Sequence, residues 1–283
     1  MTFAQRQINL EFSTSTETVY LEGLRCHAVI QHPGGYASAA SLELRVWGMS
    51  IDEMNKFSSV GSDMVRIGSM GVKVYAGTVG KAIAEVYNGS LSRAYIDFGS
   101  VPDVSFACSG TCTLVDWAKP SKPNTFPGFA DAEYLITQLA AQIGYTVHNP
   151  DKAHAVVQNQ YVTGSVMSQI FAIARAAAIP MQINGKVINI WPNDGFRSDI
   201  TIDLGPNNGL VGYPTYYPQG FIVKSEFNPI ISNGRRINLT SVIPKANGLW
   251  PTQNVTHEIS TLMPDGPWFT TAVLSPSLYV QQY

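Results

Sequence analysis

Few residues in this chain are spaced for chemistry, and each set that comes close fails on a physical requirement. Gly77-Thr78-Val79-Gly80-Lys81 looks like a phosphate-binding loop. It lacks the first glycine at the required distance, and Ala82 stands where a Ser or Thr would hold magnesium. A turn between two strands accounts for it. Gly68-Ser69-Met70-Gly71 is followed by no helix that could receive a pyrophosphate, so it is not a dinucleotide fingerprint. Cys26, His27 and His32 are metal-ligand types, but neighbours in an extended strand point to opposite faces, which separates residue 26 from residue 27. Cys108 and Cys112 lie four apart across Gly110, outside the usual thiolate knuckle. The adjacent acids Asp52 and Glu53, and the pair Asp131 and Glu133, fall where helices should begin, and there negative charge suits the helix dipole. No Gly-x-Ser-x-Gly elbow occurs, and the histidines at 27, 32, 148, 154 and 257 sit in no recognised catalytic context. The expectation is a protein that is not an enzyme, with no catalytic residues, no metal and no cofactor. One stretch does look built for contact. Gly212 to Pro218 crowds Tyr213, Tyr216 and Tyr217 between two prolines. Aromatic groups on a rigid turn suit a protein interface, and they equally suit covering a local core.

Composition narrows the class. Charged residues make up 13% of the 283, against about 25% in an average soluble domain. Gly 24 and Pro 17 point to many turns and to a β-rich chain. A net charge of −2 argues against a nucleic-acid binder, which needs a basic face to displace counterions, and Arg235-Arg236 is the only basic doublet. Sparse charge also suits a surface covered by partners. The most apolar run, Ile170 to Met181, is broken by Arg175 and Pro180 and is shorter than the ~20 residues of a membrane span. The N-terminus has no apolar core of a secretion signal, and three cysteines then read as free thiols made in a reducing compartment.

The elements that must position everything else fall into three parts. Residues 1–118 read as closely spaced strands: Gln7 to Ser13, Thr18 to Glu22, Leu24 to Gln31, Ser41 to Trp47, Met64 to Gly68, Val72 to Ala76, Lys81 to Tyr87, Leu91 to Phe98, Asp103 to Ser109 and Thr113 to Trp117. Ser50-Ile51-Asp52-Glu53 is a capping box, which starts a short helix to about Phe57. Such spacing predicts a barrel or sandwich. Residues 119–193 hold a linker and a small α/β unit. Three prolines within Lys119 to Pro127 predict an extended spacer. Ala132, Leu135, Ile136, Leu139, Ala140 and Ile143 form one helical stripe, and Val166, Ile170, Ile173, Ala174 and Ala177 a second that Pro180 ends. Asn184-Gly185 between two short apolar runs predicts a tight hairpin. Residues 194–283 return to strands: Ile200 to Leu204, Leu210 to Tyr213, Gly220 to Phe227, Arg236 to Ser241, and a long pair, Asn254 to Leu262 with Trp268 to Leu274.

Read in this order, the whole chain resembles the baseplate hub, or tail hub, proteins of contractile-tailed bacteriophages. Val19 to Arg25, Leu42 to Trp47, Val65-Arg66-Ile67 with Val72 to Gly77, Gly209 to Pro214, Gly220 to Lys224, Asn228-Pro229, Gly234 to Leu239, His257 to Ile259 and Trp268 to Thr271 carry the likeness. The resemblance implies a mainly β chain with an α/β insert: two tail-tube-like β-barrel domains, 1–118 and 194–283, flanking a small α/β domain at 119–193. It implies a structural virion protein of the tail baseplate, made in the host bacterial cytoplasm. Three copies would form a homotrimer that adapts the sixfold tail tube to the threefold central spike. Its partners would be the tail tube protein, the central spike protein, the tape measure protein and other baseplate proteins, with no membrane and no sequence-specific nucleic acid. A receptor- or carbohydrate-binding β-module at a tail tip is the alternative, with the tyrosine turn as its best feature.

Overall fold

The computed structural model describes residues 5–36, 39–59, 70–99 and 101–275. It is mainly β, with eighteen strands and four short α-helices among the described residues. Two compact units emerge. The first comprises Met1–Gln31, Ala40–Val115 and His257–Phe269, and the second His32–Ala39, Asp116–Thr256 and Thr270–Tyr283. The expected strand Met64 to Gly68 lies outside the described residues.

In the first unit, β1 (Arg6–Ser13), β2 (Thr18–Leu21), β3 (Arg25–His32), β4 (Ser41–Trp47), β5 (Gly71–Thr78), β6 (Ala84–Asp97) and β7 (Ser105–Thr111) form an antiparallel path in the order β3-β4-β7-β6-β5-β1-β2. Alternation explains it. Ile8, Leu10 and Phe12, then Cys26, Ala28 and Ile30, then Leu42, Leu44 and Val46 are buried while their neighbours, Asn9 excepted, are not. Helix α1 (Ile51–Phe57) begins at the expected capping box: Ser50 Oγ accepts from the Glu53 N–H at 3.2 Å, and Glu53 Oε2 from the Ser50 N–H at 3.0 Å. Its Phe57 meets Phe12 at 5.1 Å, and Phe12 stands edge-on to Phe106 at 5.7 Å. Edge-on ring pairs of this kind add about 0.5–1.5 kcal/mol to the burial itself.

The three thiols belong to this core. Burial pushes Cys26 up to about 12 and Cys112 up to about 11, and it raises Cys108 as well. Thiolate, not thiol, is the nucleophile. We therefore expect no labelling of the folded protein by a thiol reagent at mildly alkaline pH, and labelling of all three cysteines once it is unfolded. Rapid labelling of the native state would overturn this account of the core.

In the second unit, β11 (Met181–Asn184) and β12 (Val187–Ile190) form the expected hairpin, and β12 runs parallel to β9 (Thr146–His148). Helices α3 (Ala132–Gln142) and α4 (Val166–Ala176) pack together along the predicted stripes. The rest is a sheet. Here β13 (Arg197–Leu204) pairs parallel with β16 (Arg235–Leu239), which pairs with β17 (Gly248–Thr261). Strand β17 is followed in the sheet by β18 (Trp268–Leu274), β15 (Gly220–Glu226) and β14 (Thr215–Tyr217). Ile202, Leu204, Phe221, Val223, Ile237 and Leu239 bury its apolar face. No closed barrel is found among the described residues.

Four local expectations fail, each for a tertiary reason. Thr113 to Trp117 is not a strand; it contains most of a helix, α2 (Leu114–Ala118). A run of five residues fits either state, and burial of the Asp116 carboxylate with the Trp117 ring tilted against Phe171 at 5.4 Å selects the helix. Lys119 to Pro127 is not all spacer, because strand β8 (Asn124–Asp131) starts inside it. Pro127 is tolerated there because it falls where the register with β10 (Val156–Val162) shifts. Asn88 and Gly89 do not break β6 in two, since they pair with Lys73 and Val72 along the sheet. Finally, Leu210 to Tyr213 makes only one bridge, from Leu210 to Ser225, and the strand begins after Pro214.

Asp116 is the ionic clamp of the second unit. Its Oδ2 accepts from Tyr145 Oη at 2.7 Å and from Lys186 Nζ at 2.6 Å, and Oδ1 lies 3.5 Å from Lys119 Nζ. Burial alone would raise the carboxyl, but the hydrogen bonds and both lysines outweigh it and hold the group below its ordinary value. A depressed carboxylate stabilises the fold above the unfolded value of ~3.9, and the contribution is lost as pH falls through the lower folded value. Asp116→Asn should therefore flatten the loss of stability below about pH 4. It should also cost about 1–2 kcal/mol at neutral pH, held down because both lysine heads are more than half exposed. Urea titrations across that pH range measure both effects.

Candidate interaction surface

The tyrosines predicted from sequence lie on one hairpin. Tyr216 and Tyr217 are on β14, and Tyr213 is in the turn before it. The hairpin pairs Thr215 with Ile222, Tyr216 with Phe221 and Tyr217 with Gly220. Tyr213 is 71% exposed and Tyr216 80%, whereas Tyr217 is half-buried. Exposure this high means the first two rings do not cover the local core. Tyr216 nevertheless stands edge-on to Phe221 at 6.1 Å, and Phe221 edge-on to Trp250 at 5.3 Å. The exposed ring is thus seated on buried Phe221, itself set against partly buried Trp250. Phe221 and Trp250 were not foreseen as its supports, because only the strand register brings them under Tyr216. The strand β14 ends the path of pairings, so among the described residues one of its edges has no strand partner.

A second surface was missed entirely. Among the described residues, strands β8 and β10 pair only with each other. Phe129, Tyr161 and Val156 are 76%, 67% and 58% exposed. The sequence signal was hidden because β8 begins in the proline-rich stretch.

On the first unit, the outer face of β3, β4, β6 and β7 holds an open depression of about 160 Å³ lined by His27, Glu43, Arg45, Arg93 and Tyr95. Two of its polar groups pair with neighbours. His27 Nε2 lies 3.2 Å from Glu258 Oε1, and Arg45 Nη1 donates to Asp97 Oδ2 at 2.9 Å. The Gly99 N–H and Arg45 hold Asp97 below its ordinary value. Pairs this exposed are those of a solvated face.

The residues weighed for chemistry stay apart. Cys26 points into the core while its neighbour His27 faces Glu258. His148 meets Asn189, and His154 pairs with Asp131. Gly77 to Lys81 forms the end of β5 and a turn toward β6, with no helix behind it. Among the described residues, no group of three or more His, Cys, Asp or Glu side chains is placed to hold a metal ion, and no helix is long and apolar enough to cross a membrane.

Solved structures place this fold among tail proteins. A tail protein from Neisseria meningitidis MC58 matches with a TM-score of 0.64 and 9% identity over 96% of each chain. The 43 kDa tail protein of prophage MuSo2 from Shewanella oneidensis matches at 0.60 and 7%, over 95% of this chain and 97% of that one. The E. coli c3393 protein, a component of the type VI secretion system described as similar to T4 bacteriophage tail proteins gp27 and gp5, matches at 0.62 and 7%, over 96% and 78%. Identities this low show a shared fold. No curated protein matches the sequence. Residues 51–272 match the family described as baseplate hub gp41. The chain belongs to that family and is a structural protein of the phage tail.

Proposed function

We propose that this chain is a homotrimeric hub that adapts a sixfold tail tube to a threefold central spike, in the baseplate of the virion. The family match over residues 51–272 carries the reading. Two features support it. A sheet with a one-sided apolar core occurs in each flanking segment, antiparallel in 1–118 and mixed in 194–283, on either side of the α/β insert at 119–193. Two similar rolls per chain, closed into barrels on assembly, would let three copies present six. Among the described residues, strands β2 and β14 each have an open edge, and an open edge that pairs with a neighbour becomes part of a ring. The partners are then a tail tube protein, a spike protein, the tape measure protein and further baseplate proteins, and the work is done by shape and symmetry. Native mass spectrometry of the purified chain should show a trimer, alone or on adding the spike. A monomer that ignores both spike and tube protein would overturn the proposal.

The exposure of Tyr213 and Tyr216 favours one other reading, a carbohydrate- or receptor-binding surface at a tail tip. The double variant Tyr213→Ala, Tyr216→Ala separates the two. It would abolish glycan binding under that reading, and would disturb assembly under the hub reading.

A further inference from the structure

The sheet of the second unit carries a polar cavity that shares no residue with the tyrosine hairpin. Strands β13 and β16 run parallel, with Ile202 and Leu204, then Ile237 and Leu239, buried. Alternation therefore turns Asp203, Asn238 and Thr240 to the opposite face. The chain leaves β13 through a turn over residues 205–209. The Asn208 and Leu210 N–H groups both donate to the Gly205 carbonyl, at 2.9 and 3.0 Å, so two bonds close that turn. Gly205 lets it lie against the end of β16, because a Cβ there would come within 3.3 Å of the Thr240 carbonyl oxygen. The result is an open cavity of about 300 Å³ whose polar lining is Asp203, Asn207, Asn208, Asn238 and Thr240. That is the small end of the range for ligand clefts, about 300–1,000 Å³.

The lining decides what can bind. It offers one carboxylate, three amides and a hydroxyl, with no Lys, Arg, His or aromatic ring among the described residues. A phosphate or other anion would meet Asp203 with no cation to offset the repulsion. A tight divalent-cation site gathers several carboxylates, and no group of three or more His, Cys, Asp or Glu is placed to hold a metal among the described residues. An apolar side chain would take these polar groups out of water without returning a hydrogen bond. A neutral solute rich in hydroxyls fits. Each hydroxyl both donates and accepts, a carboxylate accepts, and an amide does both. The site is also set in advance. Asn238 Nδ2 donates to Asp203 Oδ1 at 2.8 Å across the strand pair, which fixes both side chains and leaves Asp203 Oδ2 and Asn238 Oδ1 to accept or be met by a ligand. Among the described residues, the side chains of Asn207, Asn208 and Thr240 make no hydrogen bond to the protein. We infer that this cavity binds a neutral sugar. Asp203 and Asn238 take its hydroxyls from the strands, and Asn207 and Asn208 supply further amides from the turn. The inference needs neither the trimer nor the tyrosine hairpin.

The test is saturation-transfer NMR on the full-length chain with free glucose, galactose, mannose and N-acetylglucosamine, each titrated for affinity. Transfer to at least one of them is expected. Asp203→Ala should weaken that binding by about 10-fold or more, the scale of a lost hydrogen bond to a charged group. Asn208→Ala removes a neutral partner and should weaken it by about 2- to 10-fold. Both positions are exposed, so melting should match wild type. A sulfated form of the sugar that binds should bind more weakly than its neutral parent, because Asp203 repels it. Transfer to none of the four sugars overturns the proposal, and so does unchanged affinity in Asp203→Ala. Preference for the sulfated form, or transfer only after calcium chloride is added, overturns the reading of the lining. Loss in the double variant Tyr213→Ala, Tyr216→Ala with none in Asp203→Ala assigns the sugar to the hairpin and overturns the cavity. Each of these results leaves the trimeric reading standing, since that is decided by mass.

Discussion

Replacing Gly234 with Ala should destabilise the protein by about 3 kcal/mol, one of the largest effects we expect from a single methyl group. Two costs add. The backbone at Gly234 lies at φ 79°, a left-handed conformation that disfavours a side chain by about 1–2 kcal/mol. A Cβ there would also come within 2.7–2.9 Å of three indole atoms of Trp191. Trp191 is the largest of the fully buried side chains, and its Nε1–H finds no acceptor among the described residues, so packing alone holds it. It cannot swing outward without opening the core. Nor can the backbone back away, because the Gly234 carbonyl accepts from the Arg197 N–H at 2.7 Å and its N–H donates to the Thr252 carbonyl at 2.8 Å. Gly212→Ala is the control. Its φ is 71° and nothing lies within 4 Å of the added carbon, so only the backbone cost of ~1 kcal/mol remains. Urea unfolding followed by near-ultraviolet dichroism measures both. Equal losses for the two variants would mean that Gly234 does not abut the indole.

Much of this fold can be read from alternation and capping, and the failures share one cause. Leu42, Leu44 and Val46 alternate, and Ser50 with Glu53 announces a helix, because in both cases the information lies within a few residues. Thr113 to Trp117 went wrong because its state depends on Tyr145 and Lys186, distant in sequence, which capture Asp116. Asn88-Gly89 has a turn signature, yet β5 holds it in a strand by pairing at Lys73 and Val72. The tyrosine turn was legible as a group of rings between prolines, whereas its aromatic support was not, because register is not written locally. The β8–β10 pair was the deepest loss. A proline in a strand reads as a break unless the bulge that excuses it is known, and the partner strand that creates the bulge begins at Val156, some thirty residues later.

Gly220→Ala should unseat the tyrosine hairpin. The added Cβ would lie 2.0 Å from the Leu274 carbonyl oxygen and 3.0 Å from both the Leu274 carbonyl carbon and the Ser275 Cα, all backbone atoms with no rotamer to relieve them. The hairpin is pinned from the same side, since Ser275, fully buried, donates its hydroxyl to the Gln219 carbonyl at 2.7 Å. Either β15 moves off β18, or the Pro218-Gln219 turn opens and Tyr216 slides off Phe221. We expect a loss of about 2–4 kcal/mol, the range of severe core strain. Under the reading that the tyrosines contact a partner, that binding should be lost with it. Tyr216→Ala makes the contrast that assigns the cause. At 80% exposure its removal should change stability by no more than about 0.5 kcal/mol. If it still weakens assembly, the ring itself makes the contact. If Gly220→Ala weakens assembly and Tyr216→Ala does not, the open edge of β14 makes the contact and the aromatic ring is incidental. If Gly220→Ala melts like wild type, the turn is not pressed against the end of β18, and neither assignment stands.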